Sequence, residues 1–338
     1  MKSMKSRKTS STSSRWKILS AFLVVMACMG QLGQLLLVMR RVPLPENEYS
    51  INLQHNVTKP FAIVDYFMYN GEPIVSAHLE TLNETVDFFY ITESTLTFSG
   101  KKKDKLFKDI HADIFIPYED KIRWNIYTPI ISSKDPWEAW NREKEIRGDV
   151  VNKLRDDVNT GLLPMDFVIL NTDADEIMRP KVVQELRPGG IWHEDVMRHA
   201  LKLDMKNFVF NYNWYRDQWT LANVISGQDA FQDKDKLHTN RWNDGLLVIP
   251  NAGYHLSWGL SVEGIILKLE SFSHQENNKP EIKERGHIIR SITNEENLFY
   301  QKWKLAHYDY KKLPLPLQTV HEAICKVQNV SPVTGKSI

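Results

Sequence analysis

Two cysteines in 338 residues are too few for a disulfide framework. Cys28 lies in an apolar run that separates it from Cys325, so Cys325 is either free or paired between chains. Charge of one sign is also lacking: 43 Lys and Arg face 42 Asp and Glu, and the basic excess sits in residues 1–41, which hold eight Lys/Arg and no acid. Beyond them, 35 basic residues oppose 42 acidic ones, a balance of −7 that excludes a general nucleic-acid partner. There is no internal repeat and no low-complexity tract after the first fourteen residues. What remains is 42% hydrophobic and long enough to bury a core in one large domain or two small ones.

Long apolar runs are absent with one exception, Ile18–Met39, which has about the twenty residues a helix needs to span a bilayer. Lys2, Lys5, Arg7, Lys8, Arg15 and Lys17 precede it and only Arg40 and Arg41 follow. This asymmetry keeps residues 1–17 in the cytosol as a basic tail and sends the rest of the chain across the membrane. The run exceeds a usual signal-peptide core and lacks a small-x-small cleavage site, which favours a retained signal anchor over 18–39. Ala27, Gln31 and Gln34, with Gly30 beside them, share a face suited to helix association, so a homodimer forms through this helix or through Cys325. On the far side of the membrane, the sequons at Asn56 and Asn83 become glycosylation sites. A third, at Asn329, is weakened by Pro332.

Residues 40–59 are polar with two prolines and read as a stem; the folded part begins near Pro60 and runs to 312, followed by a tail over 313–338. FAIVDYFMY (61–69) and VDFFYITES (86–94) read as strands, with an amphipathic helix over 73–82 between them. Asp135-Pro136-Trp137-Glu138 carries an N-cap acid, Pro at the first helical position and Glu three residues on. A helix follows to about Val158, with Ile146, Val150 and Leu154 on its buried stripe. Strands alternating with helices over a hundred residues indicate an α/β fold with a mostly parallel sheet.

DFVIL (166–170) is a buried strand that runs into Asp173, Asp175 and Glu176, at the strand end where open α/β sheets place ligand chemistry. Alternating carboxylates suit Mg2+ or Mn2+ with a substrate diphosphate completing the shell; a solvated acidic loop is the plainer alternative. A dehalogenase-type phosphatase would carry such a motif on its first strand, whereas about a hundred residues of α/β pattern precede this one. A second dense block, 251–276, gathers His255, Ser257, Trp258, Glu263, Lys268, His274 and Glu276 on a loop and a helix over 261–271. It offers a metal ligand, a stacking ring and a carboxylate base. Packed core residues, and a helix-capping role for Glu263, are the structural alternatives.

The ordered blocks DYFMYNGE (65–72), FYITESTLTFSGKKK (89–103), WEAWNREKEIRGD (137–149), LNTDADEIMRP (170–180) and AGYHLSWGLSVEGIILKLESFSH (252–274) resemble glycosyltransferase family 17 over about residues 60–310. The acidic motif falls on Asp173, Asp175 and Glu176, and the G-[WY]-H-x-S block on Gly253, Tyr254, His255 and Ser257. The family's Glu and Lys match Glu263 and Lys268, and its E-S-x-x-T-F-x-G segment matches Glu93, Ser94, Thr97, Phe98 and Gly100. The chain departs from the family at Ile146-Arg147-Gly148, where Gln-Arg-Asn is frequent, and at Tyr254, where animal members favour Trp.

The resemblance implies a GT-A-like domain in a single-pass type II Golgi membrane protein, with the catalytic domain luminal. It implies transfer of N-acetylglucosamine from UDP-GlcNAc to a β-mannose of an N-glycan on a glycoprotein, in β-1,4 linkage with inversion. Mn2+ or Mg2+ would be held by Asp173 and Asp175 with His255 or His274. The base that accepts the acceptor's proton would be Glu263, Glu276 or Glu176. Glu93, Arg147, Asp173, Trp258 and Lys268 would contact the donor, and Lys101, Lys102 and Lys103 are further diphosphate candidates. An anchored glycan-binding protein without turnover, or a transferase of another sugar or acceptor, is the alternative.

Overall fold

The computed structural model describes residues 60–130 and 135–338; the expected anchor, the stem and Asn56 lie outside them. Among the described residues no helix is long and apolar enough to cross a membrane. The first half alternates strand and helix as its pattern predicts. It comprises β1 (Ala62–Met68), α1 (Val75–Leu82), β2 (Phe88–Ser94), β3 (Ile122–Tyr127), α2 (Pro136–Asn159) and β4 (Phe167–Asn171). β1 and β4 are buried along their whole length, as strands covered on both faces must be. The α2 start follows the sequence signal: the Asp135 side chain accepts from the Trp137 backbone N–H at 3.0 Å, with Pro136 in the first turn. Its Ile146, Val150 and Leu154 pack in one cluster with Val64, Tyr66 and Ile169 of β1 and β4. Each such side chain contributes about 1.5–3 kcal/mol by leaving water.

The second half departs from a mostly parallel sheet. It adds β5 (Glu176–Met178), β6 (Leu201–Val209), β7 (Asn211–Trp219), β8 (Asn223–Ser226), β9 (Val248–Ser257), α3 (Val262–Ser271), α4 (Arg285–Asn294), β10 (Ala306–His307) and α5 (Leu315–Gln328). The sheet order is β10-β7-β6-β8-β4-β1-β2-β3, with β9 pairing both β5 and β6. β3, β2, β1 and β4 form a parallel block and β6 pairs parallel with β9, but β8 pairs antiparallel with both β4 and β6, so the sheet is mixed. The alternation of strand and helix that signals parallel pairing stops at β4, and the closely spaced strands after it favour antiparallel neighbours.

Residues 313–338, delimited from sequence as a tail, fold onto the body. α5 buries Leu317, Val320, Ile324 and Cys325. Cys325 is free and fully buried, its thiol pushed up to about 12 by burial, so it is out of reach of a second chain and cannot link a dimer. The Thr85 hydroxyl of the Asn83 sequon is buried and donates to the Leu82 carbonyl at 3.0 Å, with Asn83 half-buried at the α1 terminus.

Two stability predictions follow from close contacts. A Cβ on Gly253 would lie 2.4 Å from the Ile177 carbonyl oxygen of β5. Gly253→Ala is therefore expected to cost on the order of 1–3 kcal/mol, read as a lower urea midpoint in chemical denaturation. His321 accepts the Tyr212 backbone N–H at Nδ1 (3.2 Å) and donates from Nε2 to the Pro332 carbonyl (2.8 Å), so it is held neutral. Burial lowers its pKa from 6.5 to about 4. Because the unfolded chain takes the proton first, its contribution is complete above about pH 6.5 and is lost as pH falls toward 4. The melting temperature should drop across that window, with a shallower drop in His321→Gln.

Candidate active site

β1 has β2 on one side and β4 on the other, so the connections leave its edges in opposite directions and open a crevice at the carboxyl ends of β1 and β4. Asp173 stands two residues beyond β4, and the acidic motif then turns into β5, which pairs antiparallel with β9 and sets Glu176 opposite His255. Gly253 permits this because its missing side chain lets β9 approach β5. The two dense blocks of the sequence, about eighty residues apart, are thereby joined by backbone pairing.

Around Asp173 the charges are closely matched. Arg147 donates to one carboxylate oxygen at 2.7 Å and Arg241 to the other at 2.6 Å. Arg241 also spans Glu176, with contacts of 2.8 and 3.0 Å. Glu176 further accepts from the Trp219 indole at 2.5 Å and from the Asp173 backbone N–H at 2.7 Å. Burial opposes ionisation of Asp173, but Arg241 and Arg147 outweigh it and hold its carboxyl well below the usual range. Glu176 is fully buried with its oxygens committed to these donors, and this is the geometry of a carboxylate that fixes Arg241. Arg147 is buried rather than on a solvated helix face.

Asp175 accepts from Lys268 at 2.9 Å, and its other oxygen lies 3.9 Å from Nε2 of His255. Asn207 sits at 2.9 Å from Nδ1 of His255 and donates its amide to Asp217 at 2.6 Å. Its carbonyl oxygen therefore faces the ring, which puts the proton on Nδ1 and leaves the Nε2 lone pair toward Asp175. His255 stacks on Trp219 with centroids 4.0 Å apart, and burial lowers its pKa, favouring the neutral ring. Burial opposes the charge on Lys268, yet Asp175 and Glu72 raise its pKa. A neutral imidazole beside a carboxylate oxygen, with the ring fixed from behind, is a donor set that fits a divalent ion. No cluster of three metal-ligating side chains occurs among the described residues, so such an ion would have two protein ligands here and would need water or substrate oxygens to complete its shell.

The other expected residues are distributed as follows. Glu263, in the first turn of α3, pairs with Arg285, and the helix is capped by Ser261, which accepts from Gly264 N–H at 3.1 Å. Glu263 and Lys268 are five residues apart, about 140° around the helix, so Glu263 does not share the Asp175 side. His274 pairs with Glu276 at 2.6 Å instead of joining His255. Trp258 packs between Phe272 and Phe299, with Lys268 over its ring at 5.6 Å. Glu93 is buried and accepts from Lys103, Phe107 N–H and Lys108 N–H, which orders the loop after β2. Lys101 pairs with Glu270 at the surface, and Lys102 is exposed.

Several residues here went unnoticed in the sequence. Arg241, Trp219 and Asn207 stand in segments with no motif, and Glu72 closes the block over 65–72 without having been singled out. Asp65 lies inside an apolar strand, where a buried acid is itself a signal: His78 donates to it at 2.9 Å from one nitrogen and to the Ala174 carbonyl at 3.0 Å from the other. Both partners are acceptors, so His78 carries both ring protons and ties α1 to the middle of the acidic motif.

No curated protein sequence matches the chain. Among solved structures, a mannosyltransferase from Pyrobaculum calidifontis in complex with GDP-mannose and Mn2+ aligns over 93% of this chain and 88% of its own, at 10% identity and a TM-score of 0.32. The sequence profile of glycosyltransferase family 17 matches residues 52–328, which contain the acidic motif, β9 and α3 together. The chain belongs to glycosyltransferase family 17.

Proposed function

We propose that this glycosyltransferase transfers N-acetylglucosamine from UDP-GlcNAc to a β-mannose of a glycoprotein N-glycan, in β-1,4 linkage with inversion, from the luminal side of a Golgi membrane. The observation that carries the site assignment is the pairing of Asp175 with the neutral, Asn207-oriented His255 at the mouth of the β1/β4 crevice. These two residues would hold Mn2+ or Mg2+, which when bound neutralises the charge that develops on a departing diphosphate. Family membership supports the transfer chemistry, and the basic tail ahead of the apolar run supports the topology.

The electrostatics suit this donor. Asp173, Asp175 and Glu176 are balanced by Arg147, Arg241 and Lys268, so a divalent ion entering alone would unbalance a poorly hydrated site. Metal and diphosphate entering together nearly cancel. Of the three carboxylates considered as the base, Glu176 is committed to Arg241 and Glu263 to Arg285. Glu276 holds Nδ1 of His274, an exposed imidazole on which the acceptor proton can be taken up. We assign the proton-accepting role to this dyad.

Asp175→Asn is expected to lower transfer by two or more orders of magnitude, and His255→Ala to raise the Mn2+ concentration required, measured as UDP release from UDP-GlcNAc with and without acceptor. Retention by both variants of more than half the turnover with unchanged metal dependence would remove the ion from this place. UDP release that is absent from the wild type, with glycan binding intact, would instead favour a glycan-binding protein.

Glu276→Gln should depress transfer at least tenfold while leaving the affinity for UDP and Mn2+ nearly unchanged. Glu263→Gln should alter neither by more than about twofold. Titration calorimetry with UDP and initial-rate kinetics separate the two, and the reverse pattern would return the base to Glu263.

A further inference from the structure

Trp137 and Trp242 are the only described tryptophans that are more than half exposed, at 81% and 51%. A tryptophan normally buries a large apolar area, so two left in water call for an explanation. They stand at either side of one feature. The half-buried Trp140 meets Trp242 edge to face at 6.0 Å and His274 edge to face at 4.5 Å, and Trp137 lies one turn before Trp140 on α2.

This cluster is built onto the donor site. Trp242 directly follows Arg241, whose guanidinium spans Asp173 and Glu176. Trp140 is one turn before Glu143 and two before Arg147 on the same face of α2. Glu143 accepts from Ser273, the neighbour of His274, and pairs with Arg147 at 3.3 Å. The rings are interleaved with hydrogen-bonding groups: the His274–Glu276 pair on one side, and the exposed Asn243 and Asp244 following Trp242 on the other. Alternating ring faces and polar edges match the surface of a pyranose chain, whose rings have apolar C–H faces and hydroxyl rims.

Resting on the glycosyl-transfer reading, we propose that Trp137, Trp140, Trp242 and His274 form the acceptor platform, on which an oligosaccharide stacks across more than one sugar ring while its reacting residue meets the His274–Glu276 dyad. Trp242 sets preference for an extended acceptor over a single sugar.

The test uses the full-length protein with two probes, a free N-glycan oligosaccharide and methyl β-mannoside, and two variants, Trp242→Ala and Trp137→Ala. For Trp242→Ala the oligosaccharide KM should rise about tenfold, the value expected for loss of one stacked ring, with kcat reduced less. The KM for methyl β-mannoside should change by less than twofold. Trp137→Ala should raise the oligosaccharide KM severalfold. Calorimetric titration of the oligosaccharide into the protein without donor should show the same weakening, and this readout holds even if turnover proves absent, so failure of the transfer reading is distinguishable from failure of the platform. Unchanged oligosaccharide affinity in both variants would overturn the proposal. So would equal losses for both probes, or a loss confined to the intact glycoprotein, which would make the surface a polypeptide contact.

Discussion

Arg241 places one guanidinium between the carboxylates of Asp173 and Glu176, and the geometry of the site depends on that contact. Removing one partner of a buried ion pair costs several kcal/mol, because the remaining charge is left without solvent or counter-ion. Here three groups share the contact, and Arg147 closes it from α2. The turn after β4 is therefore held from both halves of the sheet: α2 belongs to the parallel block, whereas Arg241 comes from the short helical turn before β9. Asp173 is presented in a fixed place without a rigid loop of its own.

Pairing of β5 with β9 supplies the remaining constraint. Because Glu176 faces His255 across this ladder, the strand that fixes Arg241 also fixes the imidazole beside Asp175. Trp219 serves both, donating to Glu176 and stacking on His255. Asn207 and Asp217, from β6 and β7, settle the ring's tautomer from behind. The proposed metal site is thus a property of four strands, and the acidic motif alone would not confer it.

The parallel block was legible because its signals are local. The N-cap at Asp135, the stripe Ile146-Val150-Leu154, and the apolar runs over 61–69, 86–94 and 166–170 each act within a few residues, and each element formed within two residues of its expected bounds. The mixed character of the second half was not legible, since antiparallel pairing of β8 with β4 and β6 is decided by long-range register. The same limit applies to the site. Asp173, Asp175, Glu176, His255 and Lys268 were recognisable from their blocks and do converge. The partners that decide what each can do, Arg241 and Trp219 above all, lie in segments whose only mark is composition. Glu263 was singled out by its place in the 251–276 block and by the family resemblance, but helical phase turns it away from Lys268, and the ion pair with Arg285 is invisible in one dimension.

The mixed sheet also shapes the crevice at the end of β4. In a wholly parallel sheet, every strand end at the crevice is followed by a crossover helix, and the ligand is covered from one direction. Here β8, beside β4, runs the opposite way, and the chain past β4 turns through Asp173–Glu176 into β5 without a crossover helix. β9 fills the space that results, carrying His255, and α3 follows it with Lys268. Under the proposed transfer, the strand ends of the parallel block would form the nucleotide side, and the first turns of α2 with the chain around Trp242 and His274 would form the acceptor side. Both substrates would then approach Asp173, which α2 holds through Arg147 and the turn before β9 holds through Arg241, and a shift of that carboxylate would misalign both at once.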